Sequence, residues 1–139
     1  MNPKTTELQD RTRRFASQII KYCQSLSQTP AAQEIGVQLT RSAGSIDSNY
    51  RVACRARSLA EFIAKLGVAI EEADEAKGWL LLLVESELAT SESTRDLIRE
   101  VNELIAILVA SRKTADRRRE RESLERHAET ATRRRPHRK

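Results

Sequence analysis

At 139 residues the chain suits one domain, and with 39% hydrophobic residues, 32% charged residues, four Gly and three Pro it favours long helices over a β fold. Two cysteines make no disulfide framework, the N-terminus carries no apolar signal core, and the longest apolar run, Trp79 to Val84, is far below the about 20 residues of a membrane span, which together predict a soluble, cytoplasmic protein. The net charge of +5 is uneven: residues 112–139 hold 12 Lys/Arg against 5 Asp/Glu while residues 1–111 hold 13 against 15, an asymmetry that points to an anionic partner, nucleic acid being the commonest.

Taken in chain order, the pattern predicts four amphipathic helices, at about 6–26, 30–56, 59–88 and 94–111. In the first, Thr6-Glu7-Leu8-Gln9 fits a capping box, and Leu8, Thr12, Phe15, Ile19, Tyr22, Cys23 and Leu26 recur at three and four to give one buried stripe. Gln28-Thr29-Pro30 breaks the pattern; Thr29 suits a cap and Pro30 the first helical position. Ala32, Ile35, Leu39, Ala43, Ile46, Tyr50 and Ala53 then share one face, and Ser58-Leu59-Ala60-Glu61 forms a second capping box after a turn near Arg57. Helix 3 carries its inner stripe on Leu59, Phe62, Leu66, Ile70, Ala73, Leu80, Val84 and Leu88. Helix 4 starts near Thr94 and carries Leu97, Ile98, Val101, Leu104, Ile105, Leu108 and Val109.

Short connections between such helices predict an all-α fold, an antiparallel up-down-up-down four-helix bundle over residues 1–111. Residues 112–139 are an arginine-rich C-terminal extension, helical in part (112–130 as a charged continuation of helix 4) or disordered, with 133–139 disordered.

Two surface features stand out from this scaffold. On a helical wheel Ala64, Val68, Trp79 and Leu82 fall on the side of helix 3 opposite its inner stripe. A helix apolar on two sides needs two burial partners, and the second is either another copy of the chain or, if helix 3 is central, a loop over Trp79. On helix 2, Arg41, Ser48 and Arg55 share an outer face with Gly44 and Arg51 beside them. Small residues between arginines leave the backbone approachable to a phosphate chain, although an ordinary solvated face has the same composition.

Catalytic constellations are missing from the predicted bundle. Both histidines, His127 and His137, lie in the extension, which removes Glu-x-x-His metal pairs and Ser-His or Cys-His dyads from the bundle. Glu71, Glu72, Asp74 and Glu75 form an acidic cluster that reads as a solvated or interface face rather than a metal site. Cys23 and Cys54 read as small buried hydrophobes, and Asn49 as a structural residue bonding across helices. No cofactor, no metal and no enzymatic activity are expected.

The middle of the chain also carries a resemblance. The run Leu39-Thr40-Arg41-Ser42-Ala43-Gly44-Ser45-Ile46-Asp47-Ser48-Asn49-Tyr50-Arg51 is followed by Ala53-Cys54-Arg55-Ala56-Arg57-Ser58, by Ala60-Glu61-Phe62-Ile63-Ala64-Lys65-Leu66-Gly67, by Glu71-Glu72-Ala73-Asp74-Glu75 and by Trp79-Leu80. Over about residues 10–110 it resembles the four-helix-bundle proteins of the 23S rRNA intervening-sequence family, whose fold group includes the accessory variability determinant of diversity-generating retroelements. The resemblance implies a homopentameric barrel, nucleic-acid binding with weak sequence preference and, in the retroelement branch, a reverse transcriptase partner. Two departures are Lys77 on the inner stripe and Gly78 in mid-helix, and the arginine-rich extension is not a fixed feature of the family.

Together these readings lead to a non-catalytic oligomeric accessory protein that binds RNA or DNA. Arg41, Arg51, Arg55, Arg112, Lys113, Arg117, Arg118, Arg119 and Arg121 are its expected phosphate contacts, and Ala64, Val68, Trp79 and Leu82 its expected contacts between copies. The alternative is a protein-interaction scaffold whose basic tail binds an acidic protein.

Overall fold

The computed structural model describes residues 2–136; His137, and the part of the expected C-terminal disorder that falls on residues 137–139, lie outside the described residues. Four helices make up the fold: α1 (Pro3–Gln24), α2 (Pro30–Cys54), α3 (Leu59–Glu85) and α4 (Glu92–Arg133), with no strand among the described residues. Each start has a local cause. The Asn2 side chain accepts from the Lys4 N–H with Pro3 at the first helical position, Thr29 accepts from Ala32 ahead of Pro30, Ser58 accepts from Glu61, and Ser91 accepts from Thr94.

The first helix therefore begins earlier than the expected capping box. Asn2-Pro3 is the stronger start, and Thr6 sits inside the first turn, its hydroxyl donating to the Asn2 carbonyl at 3.4 Å. At the other ends, α1 stops at Gln24 rather than Leu26, α2 at Cys54 rather than Ala56, and α3 at Glu85 rather than Leu88. The chain leaves α3 through Glu87, whose φ of 57° is left-handed, and the Leu88 N–H returns to the Leu83 carbonyl at 2.9 Å. The fourth helix does not close at residue 111: good helix formers continue, no Gly or Pro intervenes, and α4 runs to Arg133.

The helices form a closed circuit. α1 packs on α2, α2 on α3, α3 on α4 and α4 on α1, while the backbones of the diagonal pairs α1/α3 and α2/α4 stay apart. Phe15 and Ile19, Leu39 and Ile46, Leu66, Leu80 and Leu83, and Val101, Leu104 and Leu108 are fully buried in the centre. The stripe on α3 differs from the expected one. Ala69, Ala76 and Leu83 are buried with Leu66, Ala73 and Leu80, whereas Leu59, Phe62, Ile70 and Val84 are half-buried. Three alanines on this side admit close approach, and the seam with α2 is the most extensive in the bundle. Gly78 leaves α3 unbroken, and Lys77 is half-buried rather than inside.

Buried polar groups are paired between helices. Thr12 donates to the Asp47 carboxylate at 3.1 Å, and the hydroxyls of Tyr22 and Thr94 lie 2.7 Å apart. Among the described residues no buried side-chain nitrogen or oxygen lacks a partner. Asn49 serves its own helix, donating to the Ser45 carbonyl at 2.8 Å, not a neighbouring one. Cys23 and Cys54 are half-buried free thiols, and burial raises the Cys23 pKa. No helix among the described residues is long and apolar enough to cross a membrane.

Candidate nucleic-acid interface

The arginines predicted on α2 do not form one uncompensated stripe. Arg41 reaches across to α3, bridging Glu72 at 3.4 Å and bonding Glu75, so its charge is balanced within the chain. Glu75 also accepts from the Trp79 indole N–H at 3.4 Å; Arg41 is the leading cause that holds this carboxyl below its ordinary range. One turn beyond Asp47, Arg51 bridges that carboxylate at 3.3 Å, and Asp47 is itself anchored by Thr12. Arg55 caps α2 and stays exposed, with no carboxylate within bridging distance among the described residues. Along α2, Arg41 and Arg55 are about 21 Å apart at 1.5 Å per residue, so they are not one site.

The end of α2 instead meets the root of the extension. Tyr50, Arg57, Ser58, Phe62, Ser111 and Arg118 line a recess of ≈ 530 Å³ between the α2–α3 turn and α4. Arg57 was not singled out from the sequence, where it reads only as the residue before a cap. The fold brings it to the same recess as Arg118.

Beyond this recess α4 leaves the bundle. Ala115 is its last buried side chain, and the helix continues for about 27 Å to Arg133 at 1.5 Å per residue. Arg112 is half-buried at the root, and Lys113, Arg117, Arg118, Arg119 and Arg121 are exposed. Arg118 bonds Glu122 one turn ahead at 3.0 Å. Arg117, Arg119 and Arg121 have no carboxylate within bridging distance among the described residues. Past Ala115 the helix has no apolar stripe and one ion pair a turn apart, so it stands in solvent rather than against the bundle. The result is a rod that presents free guanidinium groups, donors suited to phosphate oxygens.

On α3 the four residues expected to meet another copy all lie outside the core. Ala64, Val68 and Leu82 are exposed; Trp79 is half-buried, its ring against the edge of the core. Glu71 and Asp74 are exposed beside them, and among the described residues no group of three His, Cys, Asp or Glu is placed to hold a metal ion.

Comparison with known proteins adds a family. Residues 4–110 match the family described as 23S rRNA-intervening sequence protein. Among solved structures the chain is similar to a protein of unknown function from the S23 ribosomal protein family of Bacteroides thetaiotaomicron VPI-5482. The identity is 32% with a TM-score of 0.71, covering 79% of this chain and 98% of that one. No curated protein matches. The matched segment runs from the first turn of α1 through α3 and into α4, and it ends at residue 110, before the arginine-rich extension. A match over that span, with the same fold in a relative of this identity, establishes that the chain belongs to the 23S rRNA-intervening sequence protein family.

Proposed function

We propose that this chain is a non-catalytic nucleic-acid-binding protein that works as an oligomer, gripping RNA or DNA through phosphate contacts with little regard to sequence. The observation that carries the reading is the set of exposed arginines without carboxylate partners on α4 beyond the bundle: Arg117 and Arg121, a turn apart on one side of the helix, and Arg119 on the opposite side. Arg112, Lys113 and Arg118 extend that surface at the root, Arg55 adds to it from the end of α2, and Arg41 and Arg51 join once a phosphate competes with their carboxylates. The sequence carries no base-reading motif, so affinity rests on charge.

The cross-helix pairs support an up-down-up-down arrangement: Arg11 with Glu100 and Tyr22 with Thr94 match rising numbers on α1 to falling numbers on α4, and Thr12 with Asp47 and Cys23 with Gly36 do the same for α1 and α2. The exposed apolar residues of α3 support self-association, and the family resemblance favours five copies, with a reverse transcriptase as protein partner and the cytoplasm as its place of action.

The test is binding of the purified chain to labelled RNA and DNA at about 50 and about 300 mM salt. Micromolar or tighter binding at low salt, weakening steeply at high salt and equal for scrambled competitors, is expected. No binding at the lower salt removes the reading. A nuclease-resistant complex with an acidic protein in its place would favour an interaction scaffold.

A further inference from the structure

We propose that the recess between the α2–α3 turn and α4 takes one unpaired nucleotide of a bound strand, its phosphate between Arg57 and Arg118 and its base against Phe62; the inference rests on the nucleic-acid binding proposed above and adds a preference for single strands over duplexes. The recess has a volume of ≈ 530 Å³, within the range of about 300–1,000 Å³ typical of small-molecule sites. Its charge sets it apart from other concave places on the bundle. The recess between α1 and α4 sets Lys21 beside Asp96 and Glu100, and the one on the outer flank of α3 carries Glu75 and Glu85. Here both charged side chains of the lining are arginines, and they come from elements far apart in the sequence.

Each arginine is available for a local reason. Arg57 is exposed in the turn ahead of α3, and the carboxylate nearest to it in sequence, Glu61, is engaged elsewhere. Glu61 accepts from the Arg57 backbone N–H at 3.2 Å, while Ser58 accepts from the Glu61 N–H at 3.1 Å. The Arg57 guanidinium has no carboxylate within bridging distance among the described residues. Arg118 is paired with Glu122, but that pair joins two neighbours on an exposed helix, and a contact of that kind is weak enough to give way to a phosphate. α3 begins at Leu59 on the same rim, so the positive end of its dipole adds to the two guanidinium groups.

A base needs a flat apolar surface, and Phe62 supplies it. The fold leaves this ring half-buried, packed against the core and also lining the recess. Tyr50, 5% exposed, brings a second aromatic ring to the lining. Aromatic surface beside arginines suits a single strand: any base can stack on the ring, and the guanidinium groups donate to the phosphate. Arg118 stands on the rod that carries Arg117 and Arg121, so a strand held by the rod runs past the mouth of the recess. A paired base stays in its stack, whereas an unpaired one turns in without breaking a pair. Arg118 also lies beyond residue 110, where the family match ends, so this chain's own extension completes the recess.

Fluorescence anisotropy of the full chain with a labelled single-stranded oligothymidine and with a duplex of equal length, at about 50 mM salt, tests the assignment. Arg57→Gln removes a phosphate donor, and Phe62→Leu removes the ring but keeps an apolar side chain; circular dichroism checks that both fold. Phe62→Leu should weaken single-strand binding at least about fivefold, the low end for one stacked base, and leave duplex binding within about twofold. Arg57→Gln should likewise weaken the single strand more than the duplex. A strand carrying 4-thiothymidine, photocrosslinked to the wild-type chain and digested with trypsin, should be found on the peptide Ser58–Lys65, which holds Phe62; this readout depends on neither variant. Crosslinks confined to α4, or single-strand and duplex affinities that move together or not at all in both variants, overturn the nucleotide site and leave the grip of the rod standing. A wild-type chain that binds neither probe overturns the nucleic-acid reading itself. Saturable binding of AMP that Arg57→Gln abolishes, with the single-strand affinity of that variant unchanged, gives the recess to a free nucleotide and overturns the strand assignment.

Discussion

Ending the chain at Asp116 separates the rod from the bundle and isolates what its charges do. The change removes residues 117–139 and with them ten Lys/Arg and four Asp/Glu, but no buried side chain, since Ala115 is the last on α4 and Leu124 on the rod is 71% exposed. Surface residues of this kind contribute within about 0.5 kcal/mol each, so the thermal midpoint should move by no more than a few degrees. Binding should change far more. Each phosphate neutralised adds about 0.9 to the slope of log affinity against log salt for duplex DNA, so losing Arg117 and Arg121, a turn apart on one side of the rod, should lower that slope by at least about 1.8. Between about 50 and about 300 mM salt, a slope change of that size removes roughly 25-fold of the affinity loss shown by the full chain. The assay is fluorescence anisotropy with a duplex probe over that salt range, with melting followed by circular dichroism. An unchanged slope in a folded, truncated protein would refute the assignment of these arginines to phosphate. A fall in melting temperature of tens of degrees would refute the separation of rod from bundle.

Three further outcomes follow from the packing and the charges. Leu104→Ala, at a fully buried position, should cost about 2–5 kcal/mol in denaturant unfolding, and Leu124→Ala on the rod less than about 0.5 kcal/mol. Trp79 is the one tryptophan in the chain, and its indole N–H meets Glu75. Its fluorescence should therefore titrate with Glu75 below the ordinary carboxylate value of 4.5, and Arg41→Gln should move that midpoint upward; a midpoint that ignores Arg41→Gln counts against the pairing. Burial raises the pKa of Tyr22 and of Tyr50 above 10.0, so both are neutral in the fold where the unfolded chain would ionise. Their contribution is complete below about pH 10 and declines as pH rises past the unfolded value toward the folded ones, so stability should fall on the alkaline side. Replacing both by Phe should flatten that fall in denaturant melts.

The four helices, their Thr29 and Ser58 starts, and most of the core on α1, α2 and α4 follow from local rules that the amino-acid order carries by itself, whereas α4 begins at Glu92 behind Ser91 rather than near Thr94. Capping needs a hydroxyl or amide at a set spacing from the first N–H groups, and burial of Phe15, Ile19, Leu39, Ile46, Leu104 and Leu108 follows from a 3.6-residue period. The charge asymmetry and the continuous helix-forming composition after residue 111 are likewise visible without coordinates.

Tertiary structure decided which charges are free. Arg41 and Arg55 look alike on a helical wheel, yet Arg41 meets two carboxylates of α3 and Arg55 has none, because ion pairing depends on which helix lies alongside and at what height. The same holds for the inner face of α3. Its long residues Phe62 and Ile70 appear better suited to the core than Ala69 and Ala76, but close approach of α2 selects the small ones. Arg57 and Arg118 are 61 positions apart and share a recess through the circuit of helices alone. Periodicity ranks the faces of an isolated helix, while the neighbour's position determines which face is covered and which guanidinium remains unpaired.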